Sequence, residues 1–481
     1  MELLSPAGNV DKLRYCYLYG ADAAYIGLKN FSLRVKADNF YEDEYKAVRE
    51  LKKQFPGRHL HCALNIAFHN DEIDRFVEQI PYFKLYPIDA FIVQDMGIVP
   101  LLQKEFPDAA LHLSTQASCM NREAVKVYRS LGFSRVVMGR EASLKEIAEI
   151  KQAVPEMEIE CFVHGAMCIA YAGRCLMSAY LNGRSAQEGF CSHTCRWDYD
   201  VLFDGAEAKR LAESGALALR EHKRPDEYFP VYEGDNFTAV LSSKDLCMVD
   251  HLADLKKAGI DSLKIEGRMK SVYYVALITR AYRKALDALE GKITEEEARP
   301  FVDELYKVSH RPYTTAFYYN KAEADVTVSG ASESPCELVA EIAVPLSDEE
   351  AATVLRRGEE LLQRREAEYA ALVPQAKRAY DERVKKQPDR YLPPVQAKAG
   401  WQMYSLKALN MIDMTDASAL LELVSPDIVA EPMPHGDWEL VNPNTGELYR
   451  WCCDGHPCVI YTARKLCEGS LLRTAEWRRN E

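Results

Sequence analysis

Three short runs decide the fold: Ala90-Phe-Ile-Val-Gln94, Leu111-His-Leu-Ser-Thr115 and Arg135-Val-Val-Met-Gly139. Each run is rich in aliphatic residues, and charged segments with helical periodicity separate one run from the next. Strands of a parallel sheet are buried on both faces and have this nearly continuous apolar character, and helices connect them. The stretch therefore predicts three consecutive βα units.

The same pattern extends in both directions along the chain. Further apolar runs lie at residues 2–4, 23–28, 60–67, 159–163 and 262–265. Eight such runs with helical segments between them predict an α/β fold of the TIM type, a closed (β/α)8 barrel. In such a barrel the chemistry is carried by the loops that follow the carboxyl ends of the strands.

Composition limits the compartment and the partners. The chain has 481 residues and lacks both a long uncharged apolar run and the basic start of a signal peptide, so we expect a cytoplasmic protein that does not enter a membrane. Thiols stay reduced in that compartment, and its fourteen cysteines therefore indicate metal binding rather than disulfides. The net charge of -13 argues against a generally basic surface that coats nucleic acid, but it allows a local basic cleft for RNA.

The length predicts more than one domain. We expect the barrel to occupy residues 1–320, with a cysteine-rich insertion after the seventh strand at 165–241, because that connection is far longer than a loop and a helix require. Residues 321–392 predict linker strands and a helical hairpin at about 346–386, rich in Glu, Arg, Ala and Leu. Residues 393–481 predict a small β-rich domain.

Four cysteines of the insertion lie close together in sequence: Cys168, Cys175, Cys191 and Cys195. Four thiolates bind either a single zinc ion or an iron–sulfur cluster. Structural zinc sites pair their cysteines two to four residues apart twice over, whereas here six residues separate the first pair and three the second. The spacing favours a [4Fe-4S] cluster over zinc, with buried free thiols as a third interpretation.

Cys247 is a further candidate ligand. Its simpler interpretation is a small buried residue beneath a helix N-terminus that Ser243 or Asp245 caps.

Polar side chains interrupt or follow the predicted strands, where the barrel mouth is expected. We predict catalytic roles for His164, Glu266, Arg268, Lys264 and Gln116. We predict substrate-binding roles for Arg34, Asn65, Arg140, Arg174, Arg196 and Lys270, because guanidinium and ammonium groups bind phosphate or carboxylate. Tyr171 and Trp197 are candidates for stacking on a base.

Three motifs resemble the peptidase U32, or collagenase-like, family: Glu160-Cys-Phe-Val-His-Gly-Ala-Met-Cys168, Gly173-Arg-Cys-Leu-Met-Ser178 and Lys264-Ile-Glu-Gly-Arg-Met-Lys270. The resemblance covers about residues 1–320. Within that family the chain looks most like members that hydroxylate a tRNA wobble uridine to 5-hydroxyuridine, with prephenate and without molecular oxygen. The helical hairpin is not part of the family pattern, which leaves the exact RNA open.

The resemblance implies cofactor and partners. It implies a [4Fe-4S] cluster on Cys168, Cys175, Cys191 and Cys195, with Cys247 in reserve, and it implies a tRNA anticodon loop and prephenate as partners. Some similar proteins work as heterodimers, so the alternative of a non-catalytic iron–sulfur or zinc scaffold with a partner subunit stays open, as does an oligomer. A peptidase is the other alternative, but neither a Gly-x-Ser-x-Gly elbow nor a His-Glu-x-x-His helix occurs in the chain.

Overall fold

The computed structural model describes residues 1–28, 31–33, 39–41, 43–168, 170–186, 190–192, 194–196, 218–220, 228–230, 232–234, 237–239, 243–319, 334–386, 392–414 and 421–475. Two compact units divide the chain, Met1–Glu333 and Ser334–Glu481. Within the described ranges, no helix combines the length and the apolar character needed to cross a membrane.

The first unit is built on a closed barrel. Its first seven strands are β1 (Glu2–Pro6), β2 (Ala23–Ile26), β3 (His59–Leu64), β4 (Ala90–Val93), β5 (Ala110–Leu113), β6 (Arg135–Val137) and β7 (Glu158–Ala166). The strands that follow are β8 (Ala218–Arg220), β9 (Tyr228–Pro230), β10 (Tyr232–Gly234), β11 (Phe237–Ala239), β12 (Asp245–Cys247) and β13 (Ser262–Ile265). Strand β13 pairs in parallel with both β1 and β7, which closes an eight-stranded barrel. The predicted TIM-type fold is confirmed, and each of its eight strands arises from one of the apolar runs.

Helices connect the barrel strands, and two more follow the last of these strands, β13. They are α1 (Val10–Leu18), α2 (Glu44–Gln54), α3 (Asn70–Phe83), α4 (Val99–Glu105), α5 (Arg122–Ser130), α6 (Leu144–Ala153), α7 (Met177–Asn182), α8 (Leu252–Lys257), α9 (Val272–Leu289) and α10 (Glu295–Asp303). Local sequence fixes their starts: Asn9 caps α1, and Ser143 with Glu146 forms a capping box on α6. Helix α9 begins with the apolar run at residues 272–278, and its residues 272–282 are buried.

Strand β7 continues beyond the barrel wall. It pairs antiparallel with β12, which in turn pairs with β14 (Tyr313–Thr314). The expectation that Ser243 or Asp245 caps a helix above Cys247 is therefore wrong, because Asp245 and Cys247 lie in a strand. The Asp245 carboxylate accepts from the buried Arg311 guanidinium at 2.6 Å, and this pairing holds the short strand in place.

The second unit is a sheet with a helical hairpin. Its strands are β15 (Leu338–Pro345), β16 (Gln402–Ala408), β17 (Ile412–Asp413), β18 (Leu421–Val424), β19 (Glu431–Met433), β20 (Trp438–Val441), β21 (Trp451–Cys452), β22 (Cys458–Thr462) and β23 (Leu471–Thr474). Seven of them form one sheet in the order β19-β18-β23-β15-β16-β22-β20. Helices α11 (Asp348–Ala370) and α12 (Pro374–Lys386) join β15 to its neighbour β16. The hairpin is thus an insertion into this sheet, which begins before it at Leu338.

Candidate active site at the barrel mouth

The barrel mouth encloses a small polar cavity of about 50 Å³. Six residues predicted from the sequence line it: Asn65, Gln116, Arg140, Lys264, Glu266 and Arg268. They come from four segments of the chain, after β3, after β5, after β6, and on and after β13. A parallel barrel brings these carboxyl ends together, so residues far apart in sequence share one cavity.

Hydrogen bonds and rings fix the charged side chains of this cavity. The Arg140 guanidinium lies over the Phe162 ring, 3.9 Å from its centre, and one of its nitrogens is 3.7 Å from the Glu266 carboxylate. Arg268 donates to Ser32 Oγ at 2.7 Å. The cavity therefore presents cations that are already oriented, which favours an anionic ligand.

Lys264 connects the cavity to a charged barrel floor. Its Nζ donates to Glu160 Oε1 at 2.6 Å, and Arg135 donates to Glu160 Oε2 at 3.1 Å. Burial by itself would raise the pKa of Glu160, but these two cations outweigh it and hold that pKa below its usual value. Lys264 is consequently held by a carboxylate from below and by the rings of Tyr25 and Phe162.

Two histidines lie beside Glu160 in the floor. The rings of His61 and His112 meet edge to face at 4.8 Å, and burial lowers the pKa of His61 to about 4. Ligand atoms of His61, His112 and Glu160 lie within 4.8 Å of one another. Because both Glu160 oxygens already accept from cations, a divalent ion there would face two positive charges, and we interpret the trio as a charge-balanced floor.

The four clustered cysteines line a second, larger cavity of about 270 Å³ that adjoins the first. Cys168, Cys175, Cys191 and Cys195 all contribute to its wall, although they come from separated points of the insertion. The two cavities share Leu33, Gln116, Arg140 and Glu266. A group bound by the cysteines would therefore lie next to a ligand in the barrel mouth.

Contacts with barrel loops hold the segment that carries Cys168 and Cys175. Gly173 has φ +75°, and a Cβ atom there would overlap the carbonyl oxygen of Gln116. The Ser118 hydroxyl donates to the carbonyl of Ala172, whose own N–H donates to Glu141 Oε1 at 3.2 Å. Such close contact requires glycine at position 173.

The four cysteines form a donor set that suits a metal group. Four thiolates bind either one zinc ion or an iron–sulfur cluster, in which each thiolate binds a different iron. Cys168, Cys175, Cys191 and Cys195 line one cavity of about 270 Å³, and this donor set fits either group.

Cys247 is placed elsewhere. Its sulfur lies 3.9 Å from the Tyr282 hydroxyl, and burial raises the pKa of its thiol to about 11. Cys247 lines neither cavity, so the structure separates it from the four clustered cysteines.

His164 is also separated from the other predicted catalytic residues. Its ring packs against Tyr274, Tyr282 and Tyr313, and its Nδ1 lies 3.4 Å from the Tyr282 hydroxyl. Burial lowers its pKa to about 3. His164 lines neither cavity: it still pairs with Ile265 of β13, but the register between β7 and β13 shifts next to it, where β7 also begins to pair with β12.

The remaining predicted binding residues have mixed positions. Lys270 lines the cysteine cavity, with its Nζ 5.1 Å above the Tyr274 ring. Tyr171 lines it as well and is 55% exposed. Arg174 is exposed and lines neither cavity. Arg34, Trp197 and the side chain of Arg196 lie outside the described residues.

Sequence reasoning missed the residues that support the site. Arg135 and Glu160 form the floor beneath Lys264. Their presence inside otherwise apolar strands was the sequence signal that could have identified them. Ser118 and Gly173 hold the cysteine segment, and no sequence pattern marks that contact.

Comparison with known proteins places the chain in a family. The model of Peptidase family U32 matches residues 8–327. The tRNA hydroxylation protein P of Escherichia coli is 39% identical over 341 residues, which cover 66% of this chain and 74% of that protein. The tRNA hydroxylation protein P1 of Bacillus subtilis is 38% identical over 322 residues, covering 66% and 70%. The 23S rRNA 5-hydroxycytidine C2501 synthase of Escherichia coli is 34% identical over 342 residues, covering 70% and 47%. This chain therefore belongs to peptidase family U32.

Proposed function

We propose that this protein is an iron–sulfur RNA-modifying enzyme that hydroxylates the wobble uridine of tRNA to 5-hydroxyuridine, with prephenate as co-substrate and without molecular oxygen. The observation that carries the proposal is that four cysteines and a cationic barrel mouth line two adjoining cavities. The relatives named for tRNA and rRNA hydroxylation supply the reaction class.

The cysteine cavity would hold the cofactor. Cys168, Cys175, Cys191 and Cys195 would bind a [4Fe-4S] cluster, which supplies one-electron chemistry when it is bound. Gln116, Arg140 and Glu266 line both cavities and would therefore orient a substrate between the cofactor and the barrel floor.

The mouth suits a co-substrate with two carboxylates. Arg140, Lys264 and Arg268 line the mouth cavity, and Lys270 lines the neighbouring one. Guanidinium groups bind carboxylates through paired hydrogen bonds, and a cavity with little water strengthens each contact. Glu266 beside Arg140 would hold that guanidinium in place, and because it lines both cavities its carboxylate is available for proton transfer.

The RNA base would enter from the exposed side. An anticodon loop offers unpaired bases, which proteins recognise by stacking and by hydrogen bonds to their edges. Tyr171 is exposed at the wall of the cysteine cavity and offers a stacking surface. The amides of Asn65 and Gln116 offer donors and acceptors to a pyrimidine edge.

The geometry does not favour a peptidase. Hydrolysis of an amide needs an activated nucleophile or a metal-bound water, with a base within hydrogen-bond reach. In the described part of the chain, no histidine lines either cavity. Cysteines that bind a cluster are also not free to act as nucleophiles.

Mass spectrometry of tRNA nucleosides tests the proposal. A strain that lacks this gene and any second enzyme for the same nucleoside should lose 5-hydroxyuridine and its derivatives, and the wild-type gene should restore them. The purified protein, kept anaerobic, should form 5-hydroxyuridine on a tRNA transcript only when prephenate is added. An unchanged nucleoside profile in the deletion strain would exclude the tRNA hydroxylation.

A further inference from the structure

The helical hairpin of the second unit ends in an arm that contains no fully buried side chain. The first half of α11 covers the sheet, where Val354 and Leu361 are buried and Gly358 lies against the backbone of Val395. Beyond Leu361, residues 362–386 contain no buried side chain. We call these residues the arm. Ordering the residues of the arm costs conformational entropy, and the arm has no apolar core of its own to offset that cost. We therefore expect its surface to have a binding role.

One side of α12 attaches the arm's second helix to its first. The rings of Tyr369 and Tyr380 pack at 5.5 Å, and the Tyr369 hydroxyl donates to Asp381 at 3.2 Å. Lys377 lies 5.4 Å above the Tyr369 ring. At 3.6 residues per turn, Lys386 lies opposite Lys377, whereas Arg378 and Lys385 lie about a quarter turn from Lys377. All three are exposed, and Glu382 lies between Arg378 and Lys386 on this outward side.

The outward side of α12 is basic. The helix carries five cations and two carboxylates in a chain whose net charge is -13. Arg378, Arg383, Lys385 and Lys386 are exposed, and within the described ranges none of them forms an ion pair. Cations in the last turn also stabilise a helix through its dipole. That explanation does not extend to Arg378, which lies in the first half of α12.

We propose that the outward face of α12 binds the phosphate backbone of the RNA substrate; this inference rests on the proposed function. Exposed Lys and Arg side chains without carboxylate partners bind phosphates by releasing counterions, which strengthens affinity without reading sequence. The arm would then add affinity for a full-length tRNA and take no part in the chemistry at the barrel mouth.

The test compares two triple variants of the full-length holoprotein. R378Q/K385Q/K386Q removes three outward charges and keeps good helix formers, so α12 should still form. K104Q/K256Q/K257Q removes three exposed lysines at the ends of α4 and α8, which lead into the amino ends of barrel strands, away from the mouth. Binding of a tRNA transcript is measured at several salt concentrations, together with kcat and KM for hydroxylation.

We expect the α12 variant to bind tRNA about tenfold more weakly, with a slope of log affinity against log salt that is smaller by about 2. Its KM for tRNA should rise while kcat stays unchanged, and the control variant should match wild type. An α12 variant that binds like the control while the wild type hydroxylates tRNA would overturn the arm's role alone. A wild-type protein that neither binds nor hydroxylates tRNA would overturn both proposals. Loss of binding to phosphatidylserine vesicles with unchanged tRNA binding would instead assign the face to a membrane surface and overturn the RNA inference.

Discussion

Arg140 lies where the two cavities meet, and it is the residue whose loss should affect the proposed reaction most. Its guanidinium is oriented by the Phe162 ring and Glu266 and points into a site that we expect to bind carboxylate. Arg140→Gln should lower kcat/KM for hydroxylation about 100-fold, because charge-assisted hydrogen bonds contribute about 1.5–3 kcal/mol. Arg140→Lys keeps the charge but loses the paired hydrogen bonds of a guanidinium. Its kcat/KM should lie between those of the wild type and Arg140→Gln.

The matched control is Arg129→Gln. Arg129 is 54% exposed and pairs with Glu156, and it lines neither cavity. Its replacement should leave kcat/KM unchanged. If Arg140→Gln kept activity within twofold of wild type, with normal cofactor content, Arg140 would have no role in binding the co-substrate.

Individual side chains were predictable from the rule that functional residues of a (β/α)8 barrel lie at the carboxyl ends of its strands. Lys264, Glu266 and Arg268 follow or end a strand, and the rule alone places them at the mouth. The rule fails for His164, because the register between β7 and β13 shifts next to this residue, where β12 also pairs with β7, and the ring packs against Tyr274 and Tyr282 instead of lining the mouth. A strand partner supplied by a distant part of the chain cannot be read from the sequence around His164.

At the scale of elements, the segment from β7 to α7 is the one that the proposed chemistry depends on. Gly173 allows this segment to touch the turn at Thr115–Ala117. Gly173→Ala should push the segment away from Gln116 and separate Cys168 and Cys175 from the other two thiols. We expect iron content and hydroxylation to fall several-fold, while far-ultraviolet circular dichroism and the thermal unfolding of the barrel stay close to wild type.

Gly183→Ala is the matched control in the same region. Gly183 also has a positive φ, of +71°, but a Cβ atom there would meet nothing within 4 Å. It carries the backbone strain of a left-handed alanine without the overlap. Equal loss of iron in both variants would show that backbone strain, rather than contact with Gln116, accounts for the effect.

Secondary-structure elements with a clear apolar pattern were predictable from the sequence, whereas short strands that depend on pairing with distant segments were not. The eight barrel strands come from nearly continuous apolar runs, and helix α11 has buried residues at helical spacing. Strand β12 has three residues, one of them Asp245, and its existence depends on β7, β14 and Arg311. Contacts between distant segments, rather than local propensity, therefore determine that β12 forms.

At the scale of the whole molecule, buried neutral histidines should make the barrel sensitive to acid. Burial lowers the pKa of His61 to about 4 and that of His112 well below its usual value. Between about pH 6.5 and pH 4 the unfolded chain binds protons that the folded barrel does not, so stability falls as pH falls. Each of these histidines should cost about 1.4 kcal/mol per pH unit in that window.

Denaturant unfolding at several pH values measures this. The variant H61Q/H112Q should show a free energy of unfolding that declines less steeply below pH 6.5, by up to about 2.7 kcal/mol per pH unit for the two histidines together. His59→Gln is the control, because His59 is exposed at the start of β3. Equal slopes for H61Q/H112Q and wild type would contradict the account of a neutral histidine pair in the floor.

For the molecule as a whole, the sequence predicts the barrel and the set of clustered cysteines. It does not predict that these cysteines share a cavity with Gln116, Arg140 and Glu266, because that depends on how the insertion folds back over the mouth. It also does not predict that the hairpin helices interrupt a sheet that begins at Leu338, since β15 and β16 lie far apart in the chain.

Metal analysis of anaerobically purified protein tests the central claim most directly. We predict a brown protein with about four iron and four inorganic sulfide per chain. Iron should be lost in Cys175→Ser and retained in Cys247→Ser, whose side chain lines neither cavity. A colourless protein with one zinc per chain, or full iron in Cys175→Ser, would contradict the proposal that these four cysteines hold the cofactor.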